Sequence, residues 1–118
     1  MKLIRIYSRI FPPKGYTAIT LLCFMVIRRE RKDTFPWWAQ NHEEIHFRQE
    51  LELLFIGFYV LYLLEFLVKL CVTRSWSRAY RSVSLEQEAY YGQMDHIYLR
   101  YRRHYRWKKY IFKLNPRI

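Results

Sequence analysis

The residues with the clearest chemistry in this chain are His42 and His46, with Glu43 directly after the first. On a helix, positions i and i+4 share one face a turn apart, so both imidazoles can reach a single point. Glu43 projects about 100° further round the helix, where its carboxylate meets water at that point instead of joining the ligands. Neutral imidazole suits Zn²⁺, and an unligated carboxylate beside the ion can take a proton from water that the metal has acidified. The run His42-Glu43-Glu44-Ile45-His46 therefore reads as two metal ligands and a general base. Gln49 prolongs the polar face by another turn and is a supporting residue or an alternative ligand. The competing reading is a histidine pair at a helix start that holds no metal.

A zinc site of this kind takes a third protein ligand and leaves one position open. Glu86 and Glu88, in Ser84-Leu85-Glu86-Gln87-Glu88-Ala89-Tyr90, are the leading candidates, ahead of Asp95 and of Glu65. Tyr90 or Tyr91 is placed to donate to a developing oxyanion. His96 and His104 read as surface residues.

The pairing of His-Glu-x-x-His with a later Glu-x-x-Ala helix resembles the gluzincin group of zinc metallopeptidases. The chain from about Gly15 to Trp107 also resembles a set of short bacterial proteins. They share an Asn-His-Glu-x-Ile-His-x-x-Gln start, a long aromatic helix and a Glu-x-Glu-Ala-Tyr segment. The first resemblance implies that Glu86 is the third ligand. It further implies an edge strand above the metal on which a peptide pairs by β-augmentation. Where gluzincins carry an Asp that supports the site, this sequence has Tyr90. An acceptor for the histidines' second ring nitrogens must then come from Glu88 or a main-chain carbonyl.

Several elements must position these residues. Leu3, Ile6, Tyr7 and Ile10 recur at helical spacing, which predicts a short helix over 1–11 that ends at Pro12-Pro13-Lys14-Gly15. Residues 17–28 are rich in β-branched and aromatic side chains and predict a strand element, folded once on itself, that covers the core or forms the edge strand. Arg28 to Asp33 is a polar turn. Thr34 before Phe35-Pro36, or Asn41 with Glu44, caps a helix over 36–71. Nothing in the sequence interrupts that helix, since Gly57 is isolated. Its aromatic side (Phe55, Phe58, Tyr59, Tyr62, Phe66) lies opposite His42 and His46. Residues 73–83 read as a loop. Ser84 with Gln87 forms a capping box that opens a last helix over 84–113.

The stretch 51–70 has the length of a membrane span, although Glu52, Glu65 and Lys69 interrupt it. A span there would separate the histidines from Glu86 by the thickness of a bilayer, so the spanning and three-ligand readings exclude one another unless the chain re-enters the membrane. The three-ligand reading leaves the aromatic surface to be covered by other helices, a second subunit in a homo-oligomer or the lipid interface.

With 118 residues the chain supports one domain, and 21 Lys and Arg against 10 acidic residues give a net charge of +11. Such an excess attracts polyanions. The interleaved basic and aromatic residues from Tyr98 to Tyr110 fit a peripheral anionic membrane, or, less well, nucleic acid. They fit best a solvated amphipathic helix with its rings packed inward. Cys23 and Cys71 sit in apolar stretches and read as reduced core residues of a cytoplasmic protein, peripheral at the inner face of the membrane if basic charge draws it there.

The sequence thus predicts a mainly helical α+β fold, a minimal zincin-like single domain whose function is zinc-dependent hydrolysis of a peptide or protein substrate. The alternatives are a non-enzymatic membrane-surface or helix-pairing protein and, third, a small basic nucleic-acid binder.

Overall fold

In the computed structural model, described over residues 4–10, 18–21 and 24–114, a small sheet lies beside a group of helices. Strands β1 (Ile4–Ser8), β2 (Ala18–Leu21) and β3 (Phe24–Arg28) form the sheet in the order β1-β3-β2. The element predicted over 17–28 does fold on itself: β2 and β3 pair antiparallel, Ala18 opposite Ile27 and Leu21 opposite Phe24. The first element is a strand and not a helix. Its alternate residues Ile4 and Ile6 pair in parallel with Phe24 and Val26, a long-range contact that outweighs local helical spacing. Thr17, Cys23 and the Pro12-Pro13-Lys14-Gly15 break lie outside the described residues. The polar run after β3 makes one 3-10 turn, Arg29–Arg31.

The helix predicted over 36–71 is two helices, α1 (Trp37–Glu52) and α2 (Ile56–Thr73). Between them Leu54 and Phe55 take positive φ angles of 56° and 62°, and the Phe55 amide donates to the Glu50 carbonyl. Positive φ is costly for such side chains, so tertiary packing must hold this reversal. It turns Phe58 and Tyr62 towards the histidines, not away from them. The α1 start also differs from expectation. Pro36 occupies the cap position, Thr34 serves the preceding turn, and Asn41 lies inside the helix.

The predicted loop holds a helix, α3 (Trp76–Ser82), whose cap Ser75 accepts a hydrogen bond from the Arg78 amide through its hydroxyl. In place of one helix over 84–113 there are α4 (Ser84–Gly92), α5 (Tyr98–Tyr101) and a 3-10 turn, Arg106–Tyr110. The chain leaves α4 after Gly92, against which the Tyr98 ring packs. A Cβ there would lie 2.5 Å from that ring. The capping box does not form either. Glu65 of α2 takes both Ser84 donors, the amide at 2.6 Å and the hydroxyl at 2.7 Å, and Lys69 closes an i, i+4 ion pair with Glu65 at 2.8 Å.

Phe58, Phe66, Ala79, Val83, Leu85 and Trp107 form the main core, and Ile45, Ala89 and Tyr98 a second. Burial of each large side chain contributes about 1.5–3 kcal/mol. Trp107 thus places the basic C-terminal segment partly inside the protein, not on a surface helix. Cys71, expected in the core, is exposed. It lies on the outer face of α2 with Ile56, Val60, Leu63, Leu64, Leu67, Val68 and Val72, all exposed. By length and composition α2 is able to cross a membrane.

Candidate metal centre

α1 presents His42 and His46 one turn apart, and α4 packs against it so that Glu86 reaches both. Three atoms converge: His42 Nε2 and His46 Nε2 lie 3.1 Å apart, and Glu86 Oε1 lies 3.2 Å from the first and 3.1 Å from the second. For a tetrahedral ion with bonds near 2.05 Å, the expected ligand separation is about 3.3 Å. The triangle fits with a small expansion. All three residues are buried, so this group can hold a metal ion.

The ring nitrogens that point away are also held. His46 Nδ1 lies 2.9 Å from Gln49 Oε1, and His42 Nδ1 lies 2.8 Å from Gln93 Oε1. Each glutamine oxygen can only accept, so each fixes a proton on Nδ1 and leaves Nε2 free for a ligand bond. Gln49 thus supports the site from behind. Gln93 was not anticipated, and it takes the role left vacant by Tyr90. Its position is set by Asn41, whose amide donates to the carbonyls of Gly92, Gln93 and Asp95.

Glu88 is one step further out. Its Oε1 accepts from Gln49 Nε2 at 2.9 Å, its Oε2 from Tyr98 at 2.8 Å, and Arg102 binds both of its oxygens. Arg102 also grips Glu52 through two bonds of 2.8 and 2.9 Å. Its place in the aromatic-basic run gave no sign of this inward role.

Glu86 uses its second oxygen to accept from the Tyr62 hydroxyl at 2.7 Å, which leaves Oε1 for the histidines. The sequence reading missed this tyrosine because it treated 36–71 as unbroken. Burial alone would raise the Glu86 pKa, but the charge of His46 and hydrogen bonds from both rings hold it well below the usual carboxylate range. Burial likewise works against a charged His46, yet the Glu86 charge and hydrogen bond push its pKa up to about 10.

Glu43 is buried beside them, with Thr20 of β2 donating to its Oε1 at 2.9 Å. Burial raises its pKa, which makes it a better base than a surface carboxylate. Two cavities flank it. One, of about 500 Å³, is mostly apolar, bounded by β2, by Phe58, Tyr62 and Phe66 of α2, and by Glu43, His46 and Glu86. The other, of about 370 Å³, is lined by His42, Glu43, Tyr90 and Gln93 among others. Ala18, Glu43 and Tyr80 line both, and β2 is the edge strand next to the site.

Tyr90 sits edge-on to His42 with ring centroids 4.8 Å apart, and its hydroxyl is hydrogen-bonded to that of Tyr80. Tyr80 was not anticipated. Tyr91 is 65% exposed and lines neither cavity. His96 stacks on Trp37 and His104 contacts Glu52 from the surface; neither approaches the centre.

Compared with models of known families, with curated proteins and with solved structures, the chain gives no match.

Proposed function

We propose that the chain is a zinc-dependent peptidase of minimal size, similar in its site logic to the gluzincins. One observation carries this reading: two imidazoles and one carboxylate converge at tetrahedral spacing beside a separate, buried carboxylate and an open cavity. Two histidines with one glutamate favour zinc over magnesium or calcium, which prefer all-oxygen sets. When bound there, zinc supplies a Lewis acid that acidifies water and polarises a carbonyl.

The chain's own residues supply the rest. Glu43, held by Thr20, accepts the proton of the attacking water and returns it to the leaving amine nitrogen. The Tyr80–Tyr90 pair offers a hydroxyl donor to the carbonyl oxygen as it gains charge. The edge of β2 offers main-chain groups to an extended peptide, and the apolar cavity beside it accepts a hydrophobic side chain.

The test compares cleavage of a mixed peptide library by wild type, Glu43→Gln and Glu86→Gln, each first assayed for zinc content. Glu43→Gln should keep zinc and lose roughly 10²- to 10⁴-fold in rate, whereas Glu86→Gln should lose the metal. Equal cleavage by wild type and Glu43→Gln would remove Glu43 from the mechanism. Zinc-loaded wild type that cuts nothing would sink the peptidase reading.

A further inference from the structure

α2 is inside out for a helix that faces water. Its two charged residues, Glu65 and Lys69, are 8% and 6% exposed, while the outward stripe from Ile56 to Val72 is apolar at every exposed position. A helix at a water surface shows the reverse pattern. The stripe runs about 27 Å for 18 residues at 1.5 Å each. An apolar face that long needs an apolar partner.

Both ends of the stripe are basic. Arg74 and Arg78 are exposed just beyond its C-terminal end, with Trp76, 66% exposed, between them. At its N-terminal end Leu54, 81% exposed, shares a cleft with the exposed Arg48 and Arg100, and with Glu44 and a Glu52 already bonded to Arg102. A second copy of the chain is a poor occupant on this ground. Whether two stripes paired parallel or antiparallel, arginines would meet arginines at each end. Lipid phosphates supply the missing charge, and a tryptophan at the edge of an apolar face is at home at headgroup depth.

We propose that this face of α2 rests on an anionic lipid bilayer. The helix lies in the plane of the interface, its stripe in the outer acyl region and Arg48, Arg100, Arg74 and Arg78 among the phosphates. The buried Glu65 and Lys69 stay on the protein side, Glu65 bonded to the start of α4 and Lys69 to Glu65 and the Ser82 carbonyl. Apart from Arg100, this contact lies outside the Tyr98 to Tyr110 run that the sequence pointed to, and it does not depend on metal binding or catalysis.

The experiment is co-sedimentation of the full chain with vesicles of phosphatidylcholine alone or mixed with phosphatidylglycerol. Wild type should pellet with the mixed vesicles and much less with the neutral ones. Leu64→Glu with Val68→Glu, at exposed positions, should keep the wild-type urea midpoint and lose roughly tenfold or more in vesicle affinity. Arg74→Gln with Arg78→Gln should weaken binding to the mixed vesicles alone. Glu43→Gln should bind as wild type does, so failure of the peptidase reading would leave this result standing. Wild type that stays in the supernatant with both vesicle types overturns the proposal. So does a soluble dimer that Val68→Glu converts to monomer, which would make a second copy the partner. Opposite-side labelling of residues 41 and 84 in vesicles would overturn it in favour of a span.

Discussion

Two clusters of buried charge stand side by side in this protein, and they are finished to different degrees. Around Glu65 the protein supplies a partner for each group. One carboxylate oxygen accepts from Lys69 and the Ser84 amide, the other from the Ser84 hydroxyl, and Lys69 also donates to the Ser82 and Tyr110 carbonyls. Around Glu86 three lone-pair atoms point at one another, and a single proton can bridge only two of them at a time. The first cluster is closed by a lysine of the chain itself, whereas the second brings together three atoms that can each offer a lone pair to one cation. That convergence, more than the five-residue motif, is what allows the group to hold a metal ion.

The largest effect should come from opening the closed cluster. Lys69→Met keeps most of the side-chain volume but leaves Glu65 charged, buried and without its cation, which should cost about 3–5 kcal/mol. Urea unfolding would read this directly. A loss below about 1 kcal/mol would show that Ser84 alone satisfies the carboxylate.

Next comes the filling of the open cluster. Zinc at a hundredfold excess over its dissociation constant should stabilise wild type by about 2.7 kcal/mol. His46→Ala should show no such gain, because one of three ligands is gone. Thermal unfolding with and without zinc measures both, and an equal gain in the variant would place the ion elsewhere.

The smallest effect tests a third buried carboxylate, one turn beyond His46. Glu50 receives one hydrogen bond, from Tyr59, and its other oxygen has none among the described residues. Burial, only partly offset by that bond, raises its pKa from an ordinary 4.5 to about 7. The folded state therefore binds this proton more tightly than the unfolded chain does. Its contribution is fully present below pH 4.5 and fades as pH rises through 7. Glu50→Gln should remove that slope, so that metal-free variant and wild type diverge by about 1–2 kcal/mol between pH 5 and pH 8. Parallel curves would mean that Glu50 stays charged throughout.

Local spacing explains what could be read in advance. His42 and His46 meet because a helix brings i and i+4 together, and the β2–β3 hairpin follows from β-branched residues in a short run. The break at Leu54 and Phe55 left no trace, since neither is glycine or proline and their positive φ angles are imposed by packing. With the break hidden, Tyr62 appeared to face away from Glu86. The N-terminal strand was hidden because Ile6 and Val26 are distant in sequence, and a helical period fits the same residues. Ser75 was a readable cap for α3, but the basic residues after it suggested a loop. Gln93 lies past the end of α4, and only the turn held by Asn41 brings it to His42.

The cap that Glu65 places on α4 makes a short lever. Ser84 begins the helix that carries Glu86, and the residue that grips Ser84 belongs to the helix whose far side is wholly apolar. The same helix reaches the candidate ligand directly as well, through the Tyr62 hydroxyl on Glu86, so two hydrogen-bonded joints link α2 to it. A partner that shifts α2 would therefore be felt at Glu86 through both joints.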